Sequence, residues 1–200
     1  MSSSLALSVR GLGVRRGRRA IVEDLSLRHT PGRAAWLVGE NGSGKSSLMR
    51  VLAGLDPPAA GSVSREGVEG CRHPTAYYHP EMGLPGSVRV SDWRRLLASL
   101  GPRQDEGRGL GPPLASATTS LAGLSTGEEK RLILDAVLGS GRPFVFLDEP
   151  YEHLSAEGKE LLSARIAAAA RRRVVVVATN QQVPPALAGG IVMWMDAPAE

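Results

Sequence analysis

Gly39-Glu40-Asn41-Gly42-Ser43-Gly44-Lys45-Ser46 decides the fold of this chain. The stretch matches G-x-x-x-x-G-K-[ST], the phosphate-binding loop of nucleotide-binding proteins, and the match carries a mechanism. Three glycines permit a tight curl in which consecutive backbone N–H groups face an anion, while the following helix directs the positive end of its dipole at the same point. Lys45 adds a formal charge. The Ser46 hydroxyl is placed to ligate a Mg²⁺ that bridges the terminal phosphates of a nucleotide. The flanks agree with the motif: residues 34–38, Ala-Ala-Trp-Leu-Val, predict a short buried strand, and residues 47–53 have helical composition.

Outward from the loop, residues 5–10 and 20–27 predict two strands around a basic turn at 15–19, closed by Thr30-Pro31-Gly32. Short strands follow at 62–64 and 76–78. Val88, Val90, Trp93, Leu96, Leu97 and Leu100 have the spacing of an amphipathic helix, which Gly101-Pro102 stops. Beyond a glycine-proline linker at 107–113, Ser125 starts a helix to about residue 138, residues 144–147 read as a buried strand, and Ser155 caps a helix to about residue 172. Two further strands are expected at 174–177 and 191–195. Trp36 and Trp194 lie in apolar strands and read as core, whereas Trp93 suits either packing or partner contact. Apolar runs alternating with helices imply an α/β fold of parallel strands covered by helices.

A chain of 200 residues is expected to form one domain. Charged residues at 22% and hydrophobic ones at 42% are ordinary for a globular protein. The single Cys71 cannot form an internal disulfide and belongs to no metal-ligand cluster, so a reducing cytoplasm is expected. The opening residues lack the basic head and long apolar core of a secretory signal, and no apolar run is long enough to span a membrane. The net charge of +4 invites a nucleic-acid reading through Arg15, Arg16, Arg18, Arg19 and Arg171, Arg172, Arg173. Against it stand 20 acidic residues beside 24 basic ones and an aromatic content of 4%. No nucleic-acid partner is expected.

Phe144-Val145-Phe146-Leu147-Asp148-Glu149 is the second chemical constellation, an apolar strand ending in two carboxylates. Asp148, at a strand end beside the phosphate loop, is suited to hold Mg²⁺ through its water shell. Glu149 points elsewhere and is suited to orient, or take a proton from, a water attacking the terminal phosphate.

These stretches, with Leu124-Ser125-Thr126-Gly127-Glu128 between them and Leu147-Asp148-Glu149-Pro150 as the last, resemble an ATP-binding cassette (ABC) ATPase over roughly residues 5–195. The resemblance implies a P-loop NTPase fold with a mainly parallel sheet, N-terminal antiparallel strands, and a short helical subdomain at about residues 80–122. It implies that two cassettes face each other head to tail, so that Leu124, Ser125, Thr126, Gly127 and Glu128 act on the partner's ATP. It further assigns ATP to Gly39, Glu40, Asn41, Gly42, Ser43, Gly44, Lys45, Ser46 and Ser47, Mg²⁺ to Ser46 and Asp148, and chemistry to Glu149, Asn180 and His79. The implied partners are a membrane-spanning transporter subunit and a second cassette, which places the chain on the inner face of the cell membrane. His79 stands in the family's glutamine loop, as in small haem-exporter cassettes.

Departures from the family pattern bear on activity. Arg16 falls where an aromatic residue should stack on adenine, and a guanidinium can stack on a base. Ser155 replaces an aspartate but still suits a helix cap. Asn180 ends its strand where histidine is usual. Losing one oriented transition-state donor costs roughly 2.7–4 kcal/mol, about 10²–10³ in rate, although an Asn amide still offers two N–H donors. ATP binding with slow hydrolysis, coupled to export, is the leading expectation. The alternatives are a degenerate cassette that completes a better-equipped partner's site, and a non-transport ABC ATPase acting on DNA or the ribosome.

Overall fold

The computed structural model describes residues 4–99, 120–181, 183 and 190–195. The linker expected at 107–113 and much of the expected helical subdomain lie outside them. Strands β1 (Ala6–Arg16), β2 (Arg19–His29) and β4 (Ala60–Glu66) form an antiparallel sheet in the order β2-β1-β4. Strands β5 (Thr75–Tyr78), β6 (Phe144–Asp148), β7 (Val174–Thr179), β3 (Ala35–Gly39) and β8 (Val192–Met195) form a parallel sheet in that spatial order. The helices are α1 (Lys45–Ala53), α2 (Val90–Ser99), α3 (Thr126–Gly139) and α4 (Ala156–Ala170).

Strand alternation explains why the parallel sheet is apolar throughout. Phe144 and Phe146 of β6, with Ala35, Leu37, Val174 and Val176, pack towards α1 and the antiparallel sheet. Val145, Leu147, Trp36, Val38, Val175 and Val177 pack on the opposite face, against Ile133, Leu134, Leu162 and Ile166 of α3 and α4. The central strands β6, β7 and β3, covered on both faces, need no polar period, which is why they read as continuous apolar runs. A smaller cluster of Val90, Leu121 and Leu132 joins α2, the 3-10 turn Leu121–Gly123 and α3, with half-buried Trp93 packed against it.

Two expectations need correction. The basic turn is shorter than residues 15–19: β1 runs to Arg16 and β2 starts at Arg19, with register shifts between Val9 and Arg15 that carry the strand past Gly11 and Gly13. Trp194 is not core, being 70% exposed. Among the described residues its strand is an edge that pairs only with β3, and along it Met195 is buried while Val192 and Trp194 face outward.

Candidate nucleotide-binding site

Strands β3, β6 and β7 are parallel, so the residues that follow them emerge together at one edge of the sheet, where open α/β sheets bind ligands. The loop after β3 turns into α1 through Gly44, whose φ of 100° is left-handed and whose missing Cβ would lie 2.2 Å from Ile21 Cγ2. Only glycine fits there. Gly39 is equally constrained, since a Cβ would meet Met195 O at 2.3 Å. No side chain caps α1, leaving its first-turn N–H groups for an anion.

Lys45 is 5% exposed, and its Nζ donates to Gly39 O at 2.8 Å and Glu40 O at 2.9 Å. It also pairs with Glu149 Oε1 at 3.1 Å. Glu149 adopts φ 44°, a left-handed conformation uncommon for this residue type. Its Oε2 accepts the Asn180 N–H at 3.0 Å, and the Asn180 amide donates to Asn41 Oδ1 at 3.0 Å. The topology makes this bridge: β7 lies between β3 and β6, so the residue after it reaches both neighbours. Burial pushes the Glu149 carboxyl above the ordinary glutamate range, against the opposing pull of the Asn180 N–H and Lys45.

Asp148 is fully buried. Its Oδ2 accepts from the Tyr77 hydroxyl at 3.3 Å, and among the described residues its Oδ1 has no hydrogen-bond partner; neither has the buried Ser43 Oγ. An orphaned buried carboxylate oxygen beside a glycine loop fits the cation and phosphates that the sequence implies. His79 Nδ1 accepts the Glu81 N–H at 3.2 Å, which assigns the neutral ring's proton to Nε2, 4.0 Å from Asp148 Oδ2. Burial, then the neighbouring Asp148 charge, pushes the Tyr77 phenol well above its usual value.

Beside this edge lies a cleft of about 500 Å³ lined by Arg16, Ser46, Ser47, Arg50, Asp56 and His79, among others. Arg16 thus stands at the mouth of the phosphate loop, exposed at the end of β1. Arg50 and Asp56 hold each other in a bidentate pair at 2.7 and 2.8 Å. Leu124, Ser125, Thr126, Gly127 and Glu128 do not line the cleft. They open α3, where Ser125 accepts the Glu128 N–H and Glu128 returns its carboxylate to the Ser125 N–H at 2.9 Å, a closed capping box.

Sequence reasoning missed three residues. Tyr77 is the hydroxyl on Asp148. Tyr151 is buried, stacks on Trp36 with centroids 6.3 Å apart, and bonds Ser163 Oγ at 3.1 Å. Lys130 is buried under the site and donates to the carbonyls of Glu149 and Glu152. Its signal was its rarity, since the chain has three lysines beside 21 arginines.

A glycine loop between β3 and α1, with an acidic pair ending β6, defines a P-loop nucleotide-binding protein. Residues 22–92 match the family described as ABC transporter. The cytochrome c biogenesis ATP-binding export protein CcmA of Ruegeria pomeroyi is 35% identical over 169 residues, covering 82% of this chain and 79% of that protein. The protein of the same name from Roseobacter denitrificans is 37% identical over 166 residues, covering 82% and 78%. The chain belongs to the ABC transporter ATP-binding family. Among solved structures, a bacterial Atm1-family ABC exporter with ATP bound has a similar fold, with TM-score 0.73 at 17% identity over 96% of this chain and 37% of that one. An ATP-binding subunit of an ABC transporter gives 0.69 at 24% identity, over 86% and 78%.

Proposed function

We propose that the chain is the ATP-binding subunit of an ABC exporter, which binds MgATP on residues 39–47 and Arg16 and hydrolyses it slowly across a head-to-tail dimer interface. One observation carries the reading: Glu149 is held at the end of β6 by Lys45 and by the Asn180 N–H, with its carboxyl raised towards the range of a useful proton acceptor. Ser46 and Asp148 would hold Mg²⁺, which when bound neutralises charge on the phosphates. Lys45 exchanges its carbonyl partners and the Glu149 carboxylate for phosphate oxygens, and this frees Glu149 to orient a water. His79, with its Nε2–H facing Asp148, positions the same water. Leu124, Ser125, Thr126, Gly127 and Glu128 serve the partner's nucleotide through the start of α3.

The relatives named as export proteins support a membrane-spanning partner and export. No helix among the described residues is long and apolar enough to cross a membrane. On this reading, which rests on those relatives, the chain is a cytoplasmic, peripheral subunit on the inner face of the membrane. The proposed division, a helical subdomain at about residues 80–122 within a single 1–200 domain, lies in part outside the described residues.

A degenerate cassette is favoured by one feature: the Asn180 amide is engaged by Asn41 and not free for phosphate. ATP turnover by the complex with its membrane partner separates the two readings. Loss of turnover in Glu149→Gln, by about 10²–10⁴, supports hydrolysis at this site. Turnover that survives Glu149→Gln, or arises only with Asn180→His, supports the degenerate reading.

A further inference from the structure

The first turns of α3 reach back into the chain's own site. Glu129 Oε1 accepts the Leu84 N–H at 2.7 Å, on the loop that follows His79. Lys130, the next residue, is 6% exposed, and its Nζ donates to Glu152 O at 2.7 Å and to Glu149 O at 3.2 Å. The Tyr78 ring centroid lies 5.6 Å from the same nitrogen. An ammonium has three donors, and two of them here grip main-chain carbonyls at the two ends of one turn. Burying a charge is costly unless it is partnered, so a lysine is a demanding choice where Leu132, Ile133 and Leu134 already anchor the helix. The gripped turn contains the unusual backbone of the site, with Glu149 at φ 44° and His153, just beyond it, at φ 57°. A residue held in that region persists only where its surroundings over-determine it.

We propose that Lys130 is a positioning residue: by clamping the carbonyls of Glu149 and Glu152, it holds Glu149 in the left-handed conformation that presents its carboxylate to Lys45 and Asn180. The inference rests on Glu149 being the proton acceptor. It also gives α3 two duties, since the helix whose first residues serve the partner's nucleotide fixes the carboxylate of its own site through one side chain.

The test measures ATP turnover, nucleotide affinity with a fluorescent ATP analogue, and amide exchange of residues 149–154, all in the complex with the membrane partner. Lys130→Met is expected to lower kcat about 10- to 100-fold, the cost of a misplaced catalytic group, while KM and analogue affinity change less than about twofold. Exchange of the turn quickens. Lys130→Gln keeps an N–H donor and recovers most of kcat. Parental kcat in Lys130→Met overturns the inference, as does an equal loss in the Met and Gln variants with exchange unchanged. If Lys130→Met does not accumulate, Lys130→Ser, too short to reach either carbonyl, takes its place with the same expected outcomes. Turnover surviving Glu149→Gln overturns the reading of Glu149; turnover lost in Glu149→Gln beside parental kcat in Lys130→Met overturns the clamp alone.

Discussion

The sheet edge where β3, β6 and β7 end and the start of α3 are both expected to meet phosphate, yet they are built in opposite ways. At the sheet edge the polar groups are buried and incompletely paired: among the described residues Asp148 Oδ1 and Ser43 Oγ lack partners, and Lys45 is held by carbonyls and one carboxylate. At the start of α3, Ser125 and Thr126 are exposed and the capping box closes on itself. Buried donors and acceptors without partners are costly, so the first region is shaped for something that enters it. The second region is locally satisfied and needs nothing from its own chain. On the proposed head-to-tail reading, the phosphate it meets belongs to the partner cassette.

That contrast makes the largest expected effect one of kind as well as size. Lys45→Ala removes the only cation paired with Glu149 among the described residues, and is expected to weaken nucleotide binding by the isolated chain and to cut turnover of the complex by about 10³. Gly127→Val should cut turnover by about 10² while leaving the isolated chain's nucleotide affinity unchanged, because among the described residues outside its own helix turn the added Cβ meets only His153 O within 4 Å, at 3.8 Å. Titration of both variants with a fluorescent nucleotide decides the matter. Equal losses of affinity would erase the distinction between the two regions.

The sequence was legible where chemistry is local. The phosphate loop, the Asp148-Glu149 pair and the Ser125 cap are contiguous patterns whose spacing fixes their geometry, and the parallel strands are continuous apolar runs because both faces are covered. What stayed hidden depends on which strands become neighbours. Asn180 bonds Asn41, 139 residues away, only because β7 lies between β3 and β6. Lys130 looks like an ordinary helical lysine until the Glu149–Glu152 turn is folded beneath it. Trp194 misleads for the converse reason, since an apolar run does not say that its strand is an edge.

A smaller effect concerns pH. Burial raises the Glu149 carboxyl, so the group gains its proton at a higher pH than an ordinary glutamate. The acid limb of kcat/KM, which reports the free protein, should therefore lie above the ordinary glutamate range, and turnover should fall as pH drops through it. The stability sign is the reverse: the native state binds this proton more tightly than the unfolded chain, so the carboxyl's contribution to stability declines as pH rises through the two values. An acid limb at or below the ordinary value would show that the sheet edge is wetter than its geometry implies.

The smallest effect tests whether the self-satisfied start of α3 opposes its proposed task. Glu128 keeps a carboxylate at the helix N-terminus, held below the ordinary glutamate range by the Ser125 N–H and then by the Ser125 hydroxyl. That charge favours the helix, but on the proposed head-to-tail reading it would repel a partner's phosphate approaching the same N-terminus. Glu128→Gln keeps the capping geometry and removes the charge. The melting temperature should fall slightly, and the apparent KM of the complex for ATP should fall about two- to threefold. Stability and apparent affinity moving in opposite directions would mean that the cap is a compromise between folding one chain and closing on another. If both fall together, Glu128 serves the helix alone.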